Sequence, residues 1–167
     1  MSEASDMAAE RSRLALRRPD LLREAAYIGG RWVEDGERVA VVNPASRRVL
    51  GRVPHLGGRE AEAATSAAHA AQGAWAGASA KQRAAVLRRW FELIMSHQED
   101  LARLMTAEQG KPLAEARGEI AYAASFIEWF GEEAKRAYGD VIPGHQPDRR
   151  ILALKQPVGV VSAITPC

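Results

Sequence analysis

The segment VGVVSAITPC, residues 158–167, determines how the rest of this sequence is interpreted. Five of its first seven residues are Val, Ala or Ile, the composition of a strand that is buried on both faces of a sheet. A buried parallel strand needs neighbouring strands joined by crossover helices, and ligands bind beyond its carboxyl end. We therefore predict that residues 158–164 form the first strand of an α/β sheet whose other strands are not encoded here.

Composition restricts the class of protein. The chain has 167 residues, of which 47% are hydrophobic and 26% charged, as in a soluble globular domain. A formal net charge of +2 is too small to indicate a nucleic-acid or membrane-surface partner, so we expect neither. The lone Cys167 excludes an internal disulfide, and no apolar run approaches the length of a membrane span. We expect a cytoplasmic location.

Residues 1–26 carry equal numbers of acidic and basic side chains, whereas transit peptides are poor in acids. We therefore interpret this region as a lead-in that is helical or partly disordered, and the pattern of the sequence changes at residue 27. The charged residues in question are Arg11, Arg13, Arg17, Arg18 and Arg23, with Glu3, Asp6, Glu10, Asp20 and Glu24.

Strand patterns follow the lead-in. Three short segments rich in Val and Trp predict three strands of one small sheet with a solvated face, and turn residues separate them. These segments are YIGGRWV (27–33), RVAVVN (38–43) and RRVLGRV (47–53). Near the other end, ILALK (151–155) again has the pattern of a strand.

Helical patterns occupy the middle of the chain. An alanine-rich helix is predicted over residues 59–72, ending near Gly73. Ser79 and Gln82 form a capping box at the start of the next helix, whose apolar stripe predicts a buried face. That stripe comprises Leu87, Trp90, Phe91 and Ile94.

The end of this helical region is predicted from local signals. A bend is expected at His97-Gln98, Gly110 ends the helix, and Pro112 opens a third helix over Leu113–Tyr138. Its inner face is predicted to comprise Leu113, Ala116, Ile120, Ala124, Ile127, Ala134 and Tyr138.

Few residues suggest chemistry. The four histidines have no metal-ligand spacing, and we predict neither a metal site nor a catalytic residue. EQGKP, residues 108–112, is better explained by helix ends than by phosphate binding. The final Cys167 is rejected as a nucleophile because an adjacent carboxylate raises a thiol pKa. We expect the aromatic residues of the helices to lie in the core or in a subunit interface; they are Trp90, Phe91, Phe126, Trp129 and Phe130.

Several segments together resemble the amino-terminal part of an NAD(P)-dependent aldehyde dehydrogenase. YIGGRW, VVNPAS, EQGKPLAEARGEI and LKQPVGVVSAITP resemble landmarks of that family in the same order and spacing. The block GEIAYAASFIEWFGEEAKRAYGDVIPGHQPDRR closely resembles the succinate-semialdehyde dehydrogenase branch. The similarity runs from about Leu21 to Pro166. At Cys167, however, the family has a tryptophan.

The resemblance implies an α/β fold with three regions. These are a lead-in (1–26), an N-terminal region of strands, long helices and an oligomerisation-type hairpin (27–157), and the first strand of a truncated Rossmann-like, dinucleotide-binding domain (158–167). It also implies oxidation of succinate semialdehyde, or a related semialdehyde, to the acid in 4-aminobutyrate degradation.

The resemblance further implies NAD or NADP as cofactor, with Ile164, Thr165 and Pro166 lining the dinucleotide cleft. The nucleophilic cysteine, the glutamate that activates water and the asparagine of the oxyanion site lie farther along in the family. It implies homo-oligomers joined through the Ile151–Lys155 hairpin.

Three interpretations follow. The leading one is a truncated dehydrogenase that is inactive alone and is poorly soluble, dynamic or dependent on a partner, because its last strand lacks neighbours. The second is a non-catalytic binding or regulatory module that joins full-length subunits. The third is one half of a split enzyme.

Overall fold

The computed structural model describes residues 3–165. Five α-helices and six short strands account for most of this range, and two single-turn 3₁₀-helices cover Pro19–Leu21 and Ala134–Arg136. The helices are α1 (Glu3–Arg13), α2 (Gly58–Gly77), α3 (Ala80–Ser96), α4 (Gln98–Gln109) and α5 (Leu113–Glu133). The strands are β1 (Ala26–Ile28), β2 (Arg31–Val33), β3 (Arg38–Val42), β4 (Val49–Pro54), β5 (Gly139–Pro143) and β6 (Arg150–Leu154).

The strands of residues 3–165 form three separate antiparallel hairpins, β1–β2, β3–β4 and β5–β6. The prediction of three strands in one small sheet was therefore wrong. Segment 27–33 contains a turn rather than one strand, because Gly29 and Gly30 adopt φ values of 57° and 82°. Such left-handed conformations reverse the chain and are accessible to glycine without a steric cost.

The helix starts and breaks follow local chemistry. Ser79 caps α3: its hydroxyl accepts the Gln82 N–H at 3.3 Å, and Gln82 Oε1 accepts the Ser79 N–H at 2.8 Å, which confirms the capping box. The bend predicted at His97-Gln98 is a complete break between α3 and α4. Helix α2 continues to Gly77 instead of ending near Gly73, since glycine lowers helix stability without preventing helix formation.

The last helix is shorter than predicted. Gly110 ends α4 in a left-handed conformation with φ 79°, and α5 begins after Pro112, as predicted. However, α5 ends at Glu133, and the following 3₁₀ turn directs the chain into β5. Tyr138, predicted for the inner face, is consequently exposed.

The core is made largely of small residues. The buried hydrophobic residues among those described are Leu14, Leu50, Ala84, Ala102, Leu104, Ala107, Ala116 and Ala124. Leu14, Leu50, Leu104 and Ala107 form one cluster where α1, β4 and α4 meet. Alanine buries little apolar area, so this core is small for the length of the chain.

Helix α1 joins this cluster through buried polar contacts. The Glu10 carboxylate is only 3% exposed. It accepts hydrogen bonds from the Ser46 hydroxyl at 2.6 Å and the Asn43 amide at 2.9 Å, and it pairs with Arg13 at 3.0 Å. Arg11 Nε donates to the Leu50 carbonyl at 2.7 Å. The three contacts of Glu10 compensate its negative charge, which would otherwise be costly to bury.

We predict that Gly110→Ala lowers the free energy of unfolding by about 1–2 kcal/mol, because a residue with a Cβ would have to adopt the left-handed backbone conformation of Gly110. The added Cβ would also lie 3.0 Å from Pro44 Cγ. The matched control is Gly118→Ala inside α5, where the Cβ meets open space, and it should raise stability by about 0.5–1 kcal/mol. Urea unfolding measures both variants, and shifts in the same direction would contradict the assignment.

A second prediction concerns pH. The Ser46 hydrogen bond lowers the pKa of Glu10 below its ordinary value of 4.5, against the opposing effect of burial and with help from Arg13 and Asn43. A lowered folded-state pKa stabilises the fold above the unfolded-state pKa, and this contribution is lost as pH falls through the folded-state pKa. Glu10→Gln should therefore cost about 1–3 kcal/mol at pH 7 and much less near pH 3.

Urea unfolding at both pH values checks this, with Glu62→Gln on the exposed surface of α2 as the control. An equal loss at the two pH values would show that the Glu10 charge contributes nothing.

Candidate functional site

The C-terminal segment does not form the predicted strand. Residues 155–165 contain neither helix nor strand, and Val158 and Ile164 are 91% and 98% exposed. A strand is stabilised by ladder hydrogen bonds to neighbours, and β1–β6 pair only within their own hairpins. The apolar pattern of residues 158–164 therefore has no sheet to join among the described residues.

The predicted cofactor-binding residues are not brought together into a pocket. Ile164 and Thr165 are exposed, and Pro166 lies outside the described residues. A dinucleotide site requires a concave surface with donors directed at the phosphates. An almost fully exposed Ile164 on irregular backbone supplies neither, so the described residues do not fit a dinucleotide by themselves.

The β5–β6 hairpin is a second exposed apolar element. Its five registered pairs run from Gly139–Leu154 to Pro143–Arg150. Every residue of β6 is exposed, and Leu154 reaches 81%. Both faces and the outer edge of β6 are thus accessible. Such an edge pairs readily with another strand unless something covers it.

A third exposed apolar surface lies on α5. Tyr122, Phe126, Trp129 and Phe130 follow at i, i+4, i+7 and i+8, and all four are exposed. Tyr122 and Phe126 meet edge-to-face, with ring centroids 4.8 Å apart. We predicted that the aromatic side chains lie in the core or in a subunit interface. The core location is wrong for Phe126, Trp129 and Phe130, and it is also wrong for Trp90 on α3. A role in a subunit interface stays a prediction.

The opposite face of α5 explains this arrangement. Ala116, Ala124 and Gly131 are buried there. A Cβ on Gly131 would lie 3.4 Å from Leu87 Cβ, so the lack of a side chain permits close approach of α3 and α5. Because the small residues face the neighbouring helices, the aromatic residues must face outward.

Ion pairs fix α5 against its neighbours. Glu99 of α4 binds Arg117 of α5 at 2.7 Å and Arg103 of its own helix at 2.9 Å. These two guanidinium groups, Arg117 first, lower the pKa of Glu99 to about 2. Arg88 of α3 reaches Glu128 at 3.1 Å. The aromatic face is therefore presented on a well-supported helix.

An open cleft of about 790 Å³ lies along this face. Its floor is aromatic, and its rim carries carboxylates that are already paired: Glu132 with Lys135 at 3.0 Å and Glu133 with Arg136 at 2.5 Å. Hydrogen bonding from Lys135 lowers the pKa of Glu132. The cleft can bury an apolar partner, but its rim offers no unpaired carboxylate among the described residues to act as a base.

Other candidate chemistry has structural explanations. Lys111, the cation of EQGKP, pairs with Glu119, while Gly110 caps α4. Burial raises the pKa of Glu108. Within residues 3–165, no three His, Cys, Asp or Glu residues are grouped to hold a metal ion. None of the described helices is long and apolar enough to cross a membrane.

We did not predict the aromatic cleft from the sequence, although the sequence contains a pattern that indicates it. Helix α5 carries apolar residues on two faces, the small one and the aromatic one. A helix that is apolar all round is expected to be covered on both sides. Tyr122 at i−4 from Phe126 extends the aromatic face, and its position could have revealed the cleft.

Comparison with known proteins gives the context of these surfaces. The chain is 59% identical over 155 residues to a glutarate-semialdehyde dehydrogenase of Pseudomonas putida, covering 92% of this chain and 32% of that protein. It is also 59% identical over 149 residues to an NADP(+) succinate-semialdehyde dehydrogenase of Escherichia coli, covering 88% and 31%.

The fold agrees with this similarity. The crystal structure of a Burkholderia pseudomallei succinate-semialdehyde dehydrogenase matches with a TM-score of 0.81 at 50% identity, covering 87% of this chain and 30% of that one. The α/β fold resembling the N-terminal part of such enzymes is thus confirmed. The chain spans about a third of the length of the curated relatives it matches.

The aldehyde dehydrogenase family, whose members are oxidoreductases acting on aldehydes, matches residues 32–167. Together with the fold and the semialdehyde dehydrogenase relatives, this match confirms the resemblance, and the chain belongs to the aldehyde dehydrogenase family.

Proposed function

We propose that this chain forms the N-terminal part of an NAD(P)-dependent dehydrogenase that oxidises succinate or glutarate semialdehyde to the dicarboxylate. The observation that carries this proposal is the 59% identity to enzymes named for these two substrates. Both substrates pair an aldehyde with a terminal carboxylate. The E. coli relative, named for NADP(+), supports a nicotinamide cofactor without selecting between NAD and NADP for this chain.

In this proposal the chain contributes support and assembly, whereas the chemistry comes from other parts of the enzyme. The three regions 1–26, 27–157 and 158–167 serve as lead-in, scaffold and first strand of the cofactor domain. Ile164, Thr165 and Pro166 line the dinucleotide cleft once further strands pair with residues 158–164. The exposure of this apolar segment supports such pairing, since isolated apolar strands are rarely left in water.

The proposed route of assembly is the β5–β6 hairpin. Its exposed edge and apolar side chains support strand pairing between subunits of a homo-oligomer. The same exposed hairpin favours the second candidate function, a non-catalytic module that joins full-length subunits. If the chain does not copurify with a coexpressed full-length relative, the module is excluded, because that function requires such binding. We further propose a cytoplasmic location, which the globular composition of 47% hydrophobic and 26% charged residues supports.

We predict that the 167-residue polypeptide alone gives no NAD(P)-dependent oxidation of succinate or glutarate semialdehyde, because residues 3–165 bring no nucleophile together with a base and a cofactor site. A spectrophotometric assay at 340 nm with each cofactor measures this. The full-length E. coli relative serves as the positive control. Turnover above the no-enzyme rate would contradict the division of roles proposed here.

A chimera tests the function directly. Residues 1–166 of this chain replace the matching third of the E. coli succinate-semialdehyde dehydrogenase. We expect NADP(+)-dependent oxidation within about tenfold of the parent, because the two segments are 59% identical over 149 residues. The chimera with the parent's nucleophilic cysteine changed to Ala gives the background rate. A chimera that folds and assembles like the parent but does not turn over would contradict the proposal.

The aromatic face of α5 generates a further prediction. Phe126→Ser with Trp129→Ser should reduce binding of a hydrophobic dye to the isolated chain by about half, with the helix content unchanged, because both side chains are exposed. Dye fluorescence and far-UV circular dichroism measure these quantities. The matched control, Ala124→Glu at a fully buried position, should unfold α5 and increase dye binding. Unchanged dye binding in the double variant would show that this face contributes nothing to the accessible apolar surface.

A further inference from the structure

Helix α1 lies in a groove that belongs to the family domain, although α1 itself does not. The family match begins at residue 32, after α1 and its connection. The groove, which we call the α1 groove, is formed by residues 43–50 and by one side of α4. Its apolar floor is Leu50, Leu104 and Ala107, and Leu14 covers that floor from the end of α1.

The contacts across the α1 groove are specific and mostly polar. Glu10 binds Asn43 and Ser46, Arg11 Nε binds the Leu50 carbonyl at 2.7 Å, and Arg103 Nη1 binds the Leu14 carbonyl at 3.1 Å. Each bond joins α1, or Leu14 directly after it, to the groove. Any α1 of the same sequence, on this molecule or on another, can make all of them.

The chain between α1 and the next anchored residues is very short. Asp100 of α4 accepts the backbone N–H groups of Arg17 and Arg18 at 3.0 Å and 2.9 Å. Only Ala15 and Leu16 therefore separate two anchored segments. Ala15 adopts φ 46°, a left-handed conformation that is unfavourable for any residue with a Cβ. A short, strained hinge is the feature that favours exchange of an element between identical chains.

We propose that the α1 groove accepts α1 from a second copy of this chain, giving a dimer with exchanged N-terminal helices. The exchange keeps every contact across the groove and releases the strain at Ala15. It is also distinct from pairing through the β5–β6 hairpin, because in a hairpin dimer each α1 remains in its own groove.

Crosslinking between differently labelled copies tests the exchange. Arg13 on α1 and Ala45 beside the groove line one cleft, so cysteines at these positions lie within reach of a short bismaleimide. In a Cys167→Ser background, Arg13→Cys chains are incubated with Ala45→Cys chains and then crosslinked. We expect a covalent heterodimer whose yield rises with protein concentration.

The chain carrying both cysteines is the control. Its intramolecular crosslink at low concentration shows that the two cysteines lie within the span of the crosslinker. If this control crosslinks, the absence of a covalent heterodimer at every protein concentration would overturn the proposal. A non-covalent dimer without the heterodimer crosslink would show pairing through another surface and would also overturn it.

Two variants of the hinge make the test specific. Ala15→Gly removes the strain of the closed form and should lower the heterodimer yield, whereas Ala15→Val increases the strain and should raise it. The expected difference between the two variants is about tenfold. Both changes lie at an exposed residue outside the groove, so the folded body is retained. Equal yields from the two variants would contradict the role of the hinge.

Discussion

The structure depends on one constraint: the chain has more apolar surface than its own core can cover. A compact monomer of 18.2 kDa is expected to expose about 8,100 Å², whereas this chain exposes 12,239 Å². The excess of about 4,000 Å² on this one chain is several times the roughly 800 Å² that one partner buries in an interface of standard size. It arises because the buried positions are mostly alanine, while the large side chains of α5, of the β5–β6 hairpin and of residues 158–164 face solvent.

The distribution of small buried residues and large exposed residues has a physical cause. Small residues allow α3, α4 and α5 to pack closely, and the partly exposed ion pairs Glu99–Arg117 and Arg88–Glu128 add a small stabilising contribution between helices. The aromatic face of α5 is thereby turned outward. Such a platform suits a scaffold that receives a further domain, and it supports the proposed place of this chain in a semialdehyde dehydrogenase. Catalysis then requires groups that the described residues do not bring together.

The features predicted correctly from the sequence are those set by neighbouring residues. Ser79 and Gln82 form their capping box, and Gly110 ends α4, because each depends on a few adjacent backbone groups. Features that depend on distant partners were predicted less well. Trp90 and Tyr138 were assigned to inner faces that other helices do not cover, and residues 158–164 have the composition of a strand but no neighbour. The cofactor residues Ile164, Thr165 and Pro166 depend on the same missing neighbours, so their role remains a prediction.

Amide hydrogen exchange, compared between the isolated chain and the chimera with the E. coli relative, tests the central claim most directly. The claim is that the exposed apolar segments are surfaces for the remainder of a dehydrogenase. It predicts that the amides of residues 150–165 exchange rapidly in the isolated chain and at least about a hundredfold more slowly in the chimera, while those of α3 and α4 change little. Equal exchange of residues 150–165 in both proteins would contradict the account.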